Sequence, residues 1–245
     1  MNSDFFLYKI LKSTPWRGNS PLDKLNSVFY FTTNPCVKFQ KFRLTFEAIK
    51  TPYQWISLVL ERMDSDLYSS LDLLNGNHGA SKGENVDHYE LLLNKSLETN
   101  VDIITLMLFI TILMDELARL IKFSIIGTRR PETNNFQSLK ETLPNFKGKH
   151  ISEFNNIIQD TDWYSNLEDL RDYSISQSDK ENILINEGEE IGVVLRFMVD
   201  GKSNKKFITN SIIDEYSEQA YNFLEKISIF LETNVEDLPL RTIEN

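Results

Sequence analysis

Cysteine is almost missing from this chain. Cys36 stands alone, so no disulfide closes within the sequence and nothing in it needs an oxidising compartment. It follows Asn34-Pro35, a turn signal, and no catalytic-cysteine pattern surrounds it, so it reads as a small half-buried side chain. Glycine and proline are scarce, 9 and 7 among 245 residues, which argues against many short strands joined by tight turns. Long hydrophobic runs are absent too. The most apolar stretch, residues 103–114, is far shorter than the roughly 20 residues of a membrane span. The first residues, Met1-Asn2-Ser3-Asp4, carry no basic leader. A cytoplasmic protein without membrane contact is the expectation.

Histidine is rare as well, and His78, His88 and His150 lie far apart. Glu84, Asp87, His88 and Glu90 cluster in sequence but lack the His or Cys pair that zinc needs, so they read as a solvated helix start. No GxGxxG, P-loop, GxSxG or HExxH occurs, and no cofactor or metal ion is expected. The net charge of −10 repels phosphate backbones, which lowers the expectation of nucleic-acid binding without excluding a local basic patch.

What the sequence does contain is helical patterning. A 41% hydrophobic content with 16 Phe, 9 Tyr and 3 Trp supplies material for a substantial core. Residues 1–50 form an N-terminal segment of ambiguous pattern. Val28-Phe29-Tyr30-Phe31 resembles a strand. Phe42, Leu44, Phe46 and Ala48 alternate as a strand does, and Phe39, Phe42, Phe46 and Ile49 also fit helical spacing. Periodicity does not decide between them, with helix the expectation. Thr51-Pro52-Tyr53-Gln54 carries the signals of a helix start. The stripe Ile56, Leu60, Met63, Leu67, Leu71, Leu74 follows, ending before the glycine-containing loop 75–85. Separate helices are predicted over 86–97 and 101–126, with Thr99 as cap. The second would be about 40 Å long and apolar on nearly every side in its first half. It is therefore expected at the centre of a bundle, with Leu108 and Ile112 buried.

Residues 128–149, with Pro131 and Pro144, are the candidate boundary within a bundle spanning 51–245, and hold one short helix at 137–142. Helices at 151–159 and 162–176 come next. Strand patterns at 183–185, 191–199 and 206–208, with Asp200-Gly201 as a turn, precede a last helix over 211–232 opened by Ser211 and Asp214. Its buried stripe is Ile213, Tyr216, Ala220, Phe223, Leu224, Ile227 and Leu231. The expected fold class is thus mainly α, a helical bundle with a small antiparallel β-hairpin inserted before the last helix.

Two polar constellations interrupt this pattern. Asp115, Glu116 and Arg119 break the most apolar helix, with Asp115 and Arg119 at a pairing distance of four residues, and form a candidate binding cluster. Leu167, Leu170 and Ser174 make one face of a later helix, with Arg171 beside it and Asp172 next in sequence. A guanidinium there must find an acceptor or reach solvent. Leu170-Arg171-Asp172 followed by Ser176 resembles the signature of the HEPN superfamily, in which an arginine and a polar residue precede a histidine near the end of a late helix.

The resemblance implies a helical bundle, frequently dimeric, in a superfamily that includes ribonucleases of defence and RNA-processing systems. It makes Arg171, Asp172 and Ser176 the candidate site and places Arg171 near a subunit interface. The sequence departs from the pattern where it matters most: Ser176 stands where histidine is expected, and a serine hydroxyl does not titrate near neutral pH. A catalytically degenerate protein acting through a protein partner or as a homodimer, in defence or stress, is the leading expectation, so a non-enzymatic role is favoured. A metal-independent ribonuclease using Arg171 with Tyr173 or Ser176 is one alternative. A small-molecule sensor with Trp55, Phe109, Trp163 and Tyr216 around a pocket is another.

Overall fold

The computed structural model describes residues 15–18, 20–31, 37–74, 88–126, 135–146, 150–175, 184–187, 190–199 and 202–238. These residues are mainly helical: α1 Ser20–Phe31, α2 Val37–Leu74, α3 His88–Ile121, α4 Phe136–Thr142, α5 Ile151–Gln159, α6 Asp162–Ile175 and α7 Asn210–Thr233. Lys122–Ile126 continues α3 as a π turn, and Leu143–Asn145 closes α4 as a 3-10 turn. Three extended segments, β1 Leu184–Glu187, β2 Glu190–Val199 and β3 Lys202–Thr209, lie between α6 and α7. They pair antiparallel in the order β1-β2-β3, with Leu184 opposite Val193, Val194 opposite Phe207 and Val199 opposite Lys202. The turn expected at Asp200-Gly201, the loop at 75–85, Cys36 and Ser176 all lie outside the described residues. No helix among the described residues is long and apolar enough to cross a membrane.

Several local expectations are corrected. Val28 and the three residues after it are helical, within α1. Leu22, Leu25 and Val28 recur every third residue and are buried, and that packing outweighs the strand propensity of a Val-Phe-Tyr-Phe run. Thr51-Pro52 is no helix start, because α2 runs through it. The buried positions Phe46, Ile49, Tyr53, Ile56 and Leu60 keep one phase on both sides of Pro52, so continuous packing offsets the lost backbone donor.

Thr99 is no cap either. Its hydroxyl donates to the Lys95 carbonyl at 2.9 Å, a bond that fits inside a helix, and the two expected helices are one. At the head of α7 the Thr209 hydroxyl accepts the Ile212 N–H at 3.3 Å.

The chain divides into two compact units. Among the described residues, the first holds those within 57–108 and 166–218, and the second those within 15–56, 109–165 and from 219 onward. In the first unit α2 and α3 are tied by opposite charges. Arg62 on α2 binds Asp102 on α3, and Asp66 on α2 binds Lys95 on α3 at 2.7 Å. Rising numbers on α2 meet falling numbers on α3, so the two helices run antiparallel there.

The second unit has an aromatic core. Trp16 lies between Tyr53 and Tyr221, at ring-centroid distances of 5.1 and 5.5 Å. Phe136 lies between Tyr164 and Phe223, at 5.1 and 5.3 Å. Tyr53 donates its hydroxyl to the Gly18 carbonyl, and burial pushes its pKa well above the ordinary phenol value. Ile110, Leu113, Leu117 and Ile121 line the buried side of α3 in this unit.

One expectation about α3 is overturned. Leu108 and Ile112 are 41% and 38% exposed rather than buried. Over residues 103–114 the helix is apolar nearly all round, but the side bearing Ile110 and Leu113 is the covered one.

Candidate functional site

In the first unit, α6 presents the arginine motif. Leu167 and Leu170 are buried, as their spacing requires, and they fix the face beside which Arg171 stands. The Arg171 guanidinium donates from Nε and Nη2 to the same Asp172 carboxylate oxygen, at 2.9 and 2.8 Å. Arg171 is mostly covered and Asp172 is largely in solvent. The charge of the motif is thus neutralised by its own neighbour.

Asp115, Glu116 and Arg119 belong to the second unit and split into two structural jobs. The Asp115 carboxylate accepts the Phe136 N–H at 2.9 Å. That group is one of the unbonded donors at the start of α4, and Asn135 satisfies a second by accepting from Ser138 at 2.8 Å. The expected partner of Asp115, Arg119, reaches Glu116 one turn away. Asp115 therefore fastens α4 to α3, which accounts for a carboxylate in an apolar helix without invoking chemistry.

Burial pushes the Glu116 carboxyl above its ordinary value; Arg119 opposes this and Asp115 adds to it. The folded state therefore holds this proton more tightly than the unfolded chain. The stability it contributes is present below the ordinary glutamate range and is lost as pH rises through the raised value. Wild type should lose stability relative to Glu116→Gln as pH rises from the ordinary glutamate range toward neutral. Urea unfolding of both proteins across that range checks it. A variant that instead loses ground as pH rises would show that the Arg119 bond outweighs burial.

The aromatic set proposed from the sequence separates. Trp55 stacks on Phe109 at 5.6 Å with the rings 13° from parallel. Trp163 stands edge-on to Tyr164 at 5.9 Å and lines a cleft in the second unit with residues of α5 and α7, not with Trp55 or Phe109. Tyr216 belongs to the first unit and is half-buried; burial, then Glu215, raises its pKa. Of the four, Trp163 lines this cleft.

Sequence reasoning missed two features. One is the rest of that cleft, whose walls come from distant parts of the chain. The other is a row of exposed apolar side chains on α3 in the first unit: Leu93, Leu97, Val101 and Leu108, with Ile104 half-covered between them. Their spacing of four, four, three and four residues was readable, but it reads as a buried stripe, and in the structure the polar residues Lys95, Ser96, Asn100 and Asp102 are the buried ones instead. No protein family, curated protein or solved structure matches the chain.

Proposed function

We propose that this is a HEPN-like helical protein, with an antiparallel hairpin before its last helix, whose arginine motif is catalytically degenerate and which acts by binding a second copy of itself. The observation that carries this is the exposed α3 row. Val101 is 55% and Leu97 47% exposed, a contiguous apolar face of the kind that marks association surfaces. The 97, 101, 104, 108 spacing is that of a coiled-coil seam, which packs against a seam of like spacing. A second copy supplies one, and an isologous pairing needs no other complementary surface. Exposed Glu90 and Glu98 flank the N-terminal part of the row, so an antiparallel pair keeps like charges apart where a parallel pair would align them.

Light scattering at micromolar concentration is expected to report a dimer, twice 28.6 kDa, for wild type, and the 28.6 kDa monomer for Leu97→Glu/Val101→Glu. A monomeric wild type would refute the proposal.

The degenerate motif has its own test. Without histidine at position 176 the proton-transfer group is missing, and such a group contributes roughly 10²–10⁴-fold in rate. The Arg171–Asp172 bond supports a structural role for the arginine. Wild type and Arg171→Ala are both expected to leave labelled RNA intact in EDTA, with cleavage appearing only in Ser176→His. Metal-independent cleavage by wild type that disappears in Arg171→Ala would replace this reading with an active ribonuclease.

A further inference from the structure

The cleft in the second unit has a volume of about 380 Å³, within the range of roughly 300–1,000 Å³ typical of small-molecule sites. One wall is a single face of α7, where Gln219, Asn222, Phe223 and Lys226 follow at helical spacing. The other is the turn from α5 into α6, with Gln159, Asp160, Asp162 and Trp163. Both walls are held from behind. Thr161, 1% exposed, donates its hydroxyl to the Ile158 carbonyl, and its own carbonyl accepts the Tyr164 N–H at 3.0 Å. Tyr164 meets Trp163 on one side and Phe136 on the other, and Phe136 meets Phe223. The two aromatic lining residues therefore belong to one chain of packed rings, and the cleft is preformed.

Its charges are already matched. Lys226 meets Asp160 at 2.9 Å across the two walls, and Lys140 meets Asp162 at 2.9 Å. The Lys140 bond also holds the Asp162 carboxyl below its ordinary value, so it stays an acceptor at neutral pH. Each lysine takes one carboxylate oxygen, and a carboxylate has about four acceptor sites, so acceptor capacity remains at both. An anion would meet two carboxylates here, and a cation would compete with two seated lysines. Three carboxamides, Gln159, Gln219 and Asn222, offer donors and acceptors together. A flat base bonds only around its edge, whereas these groups face a ligand from both walls. The ligand that fits is uncharged, hydroxylated on several sides, and apolar on one face.

We propose that this cleft binds a neutral sugar, with the C–H face of the ring on Trp163 and its hydroxyls bonded to the ion-paired carboxylates and to the carboxamides of α7. The inference is independent of self-association through α3, which involves the other unit. The test is saturation-transfer NMR on the full chain with D-glucose, D-galactose, D-mannose, D-ribose and N-acetyl-D-glucosamine, beside adenosine and choline. At least one sugar is expected to bind saturably, and Asn222→Ala and Trp163→Ala should each weaken it by about tenfold or more. Asn222 is exposed, so that variant keeps the fold even where the tryptophan variant does not. Leu97→Glu/Val101→Glu should bind the sugar as wild type does. Absence of saturable binding by every sugar, affinity unchanged in Asn222→Ala, or binding of adenosine or choline alone would each overturn the proposal.

Discussion

Replacing Ile110 or Leu113 with alanine should lower the unfolding free energy by about 2–5 kcal/mol, whereas Leu108→Ala and Ile112→Ala should each cost less than about 1 kcal/mol. All four residues lie within two turns of one helix and have nearly equal hydrophobicity. The difference is rotation. At about 100° per residue, Leu108 and Ile112 stand roughly 160° from Ile110. Ile110 and Leu113 are fully buried, so truncation removes packed methyl groups and leaves a cavity. Leu108 and Ile112 are already about two-fifths in solvent, and alanine is the better helix former. Urea unfolding of the four variants, at a protein concentration low enough to keep them monomeric, provides the comparison. Equal losses at all four positions would mean that both sides of α3 are covered.

That contrast also shows where the sequence stops being informative. The stripe of α7 was legible because its apolar positions recur against a polar background. Ile213, Ala220, Phe223, Leu224, Ile227 and Leu231 are buried, and Tyr216 is half-buried. On α3 the signal misleads in two ways. Over residues 93–102 the apolar Leu93, Leu97 and Val101 are exposed while Lys95, Ser96, Asn100 and Asp102 are buried. Over residues 103–114 the background is itself apolar, so periodicity has no contrast. Local signals failed where packing overrode them, at Val28, Pro52 and Thr99. In each case the helix continues because its buried positions stay in phase, a property of the neighbours rather than of the residue.

The polar residues divide along the same line. The sequence showed that the Arg171 guanidinium needs an acceptor but did not single out Asp172, the next residue, as the one it takes. Asp115 was picked out correctly as an anomaly in an apolar helix, but its partner, the N–H of Phe136, lies 21 residues on and has no side-chain signature. The cleft was harder still. Asp160 and Lys226 are 66 residues apart, and carboxamides on helix surfaces are unremarkable until a second wall faces them. Only Trp163 carried a signal, as an aromatic residue at a helix start.

Arg62→Ala is expected to destabilise the protein by about 3 kcal/mol, the low end of what breaking a buried ion pair costs. Asp102 is 3% exposed, and Arg62 reaches it through both Nε, at 3.0 Å, and Nη2. Removing the arginine strands a carboxylate inside the first unit. Removing the carboxylate is less damaging, because the Arg62 side chain is already 54% exposed and can turn to water. Asp102→Asn should therefore cost about 1 kcal/mol. Arg62→Lys should recover only part of the loss, since an ammonium cannot make the two parallel bonds of the guanidinium. The diagnostic variant is the double one. If the penalty is that of an unpaired charge, Arg62→Ala/Asp102→Asn should be more stable than Arg62→Ala alone, because the second change removes the group left stranded. The matching pair Asp66–Lys95 lies one turn along α2 and remains in every variant, so the antiparallel register of the two helices is retained and the comparison stays local. Chemical denaturation of wild type and the four variants at one pH is sufficient. A double variant less stable than either single one would show that the two side chains contribute independently, through packing rather than charge.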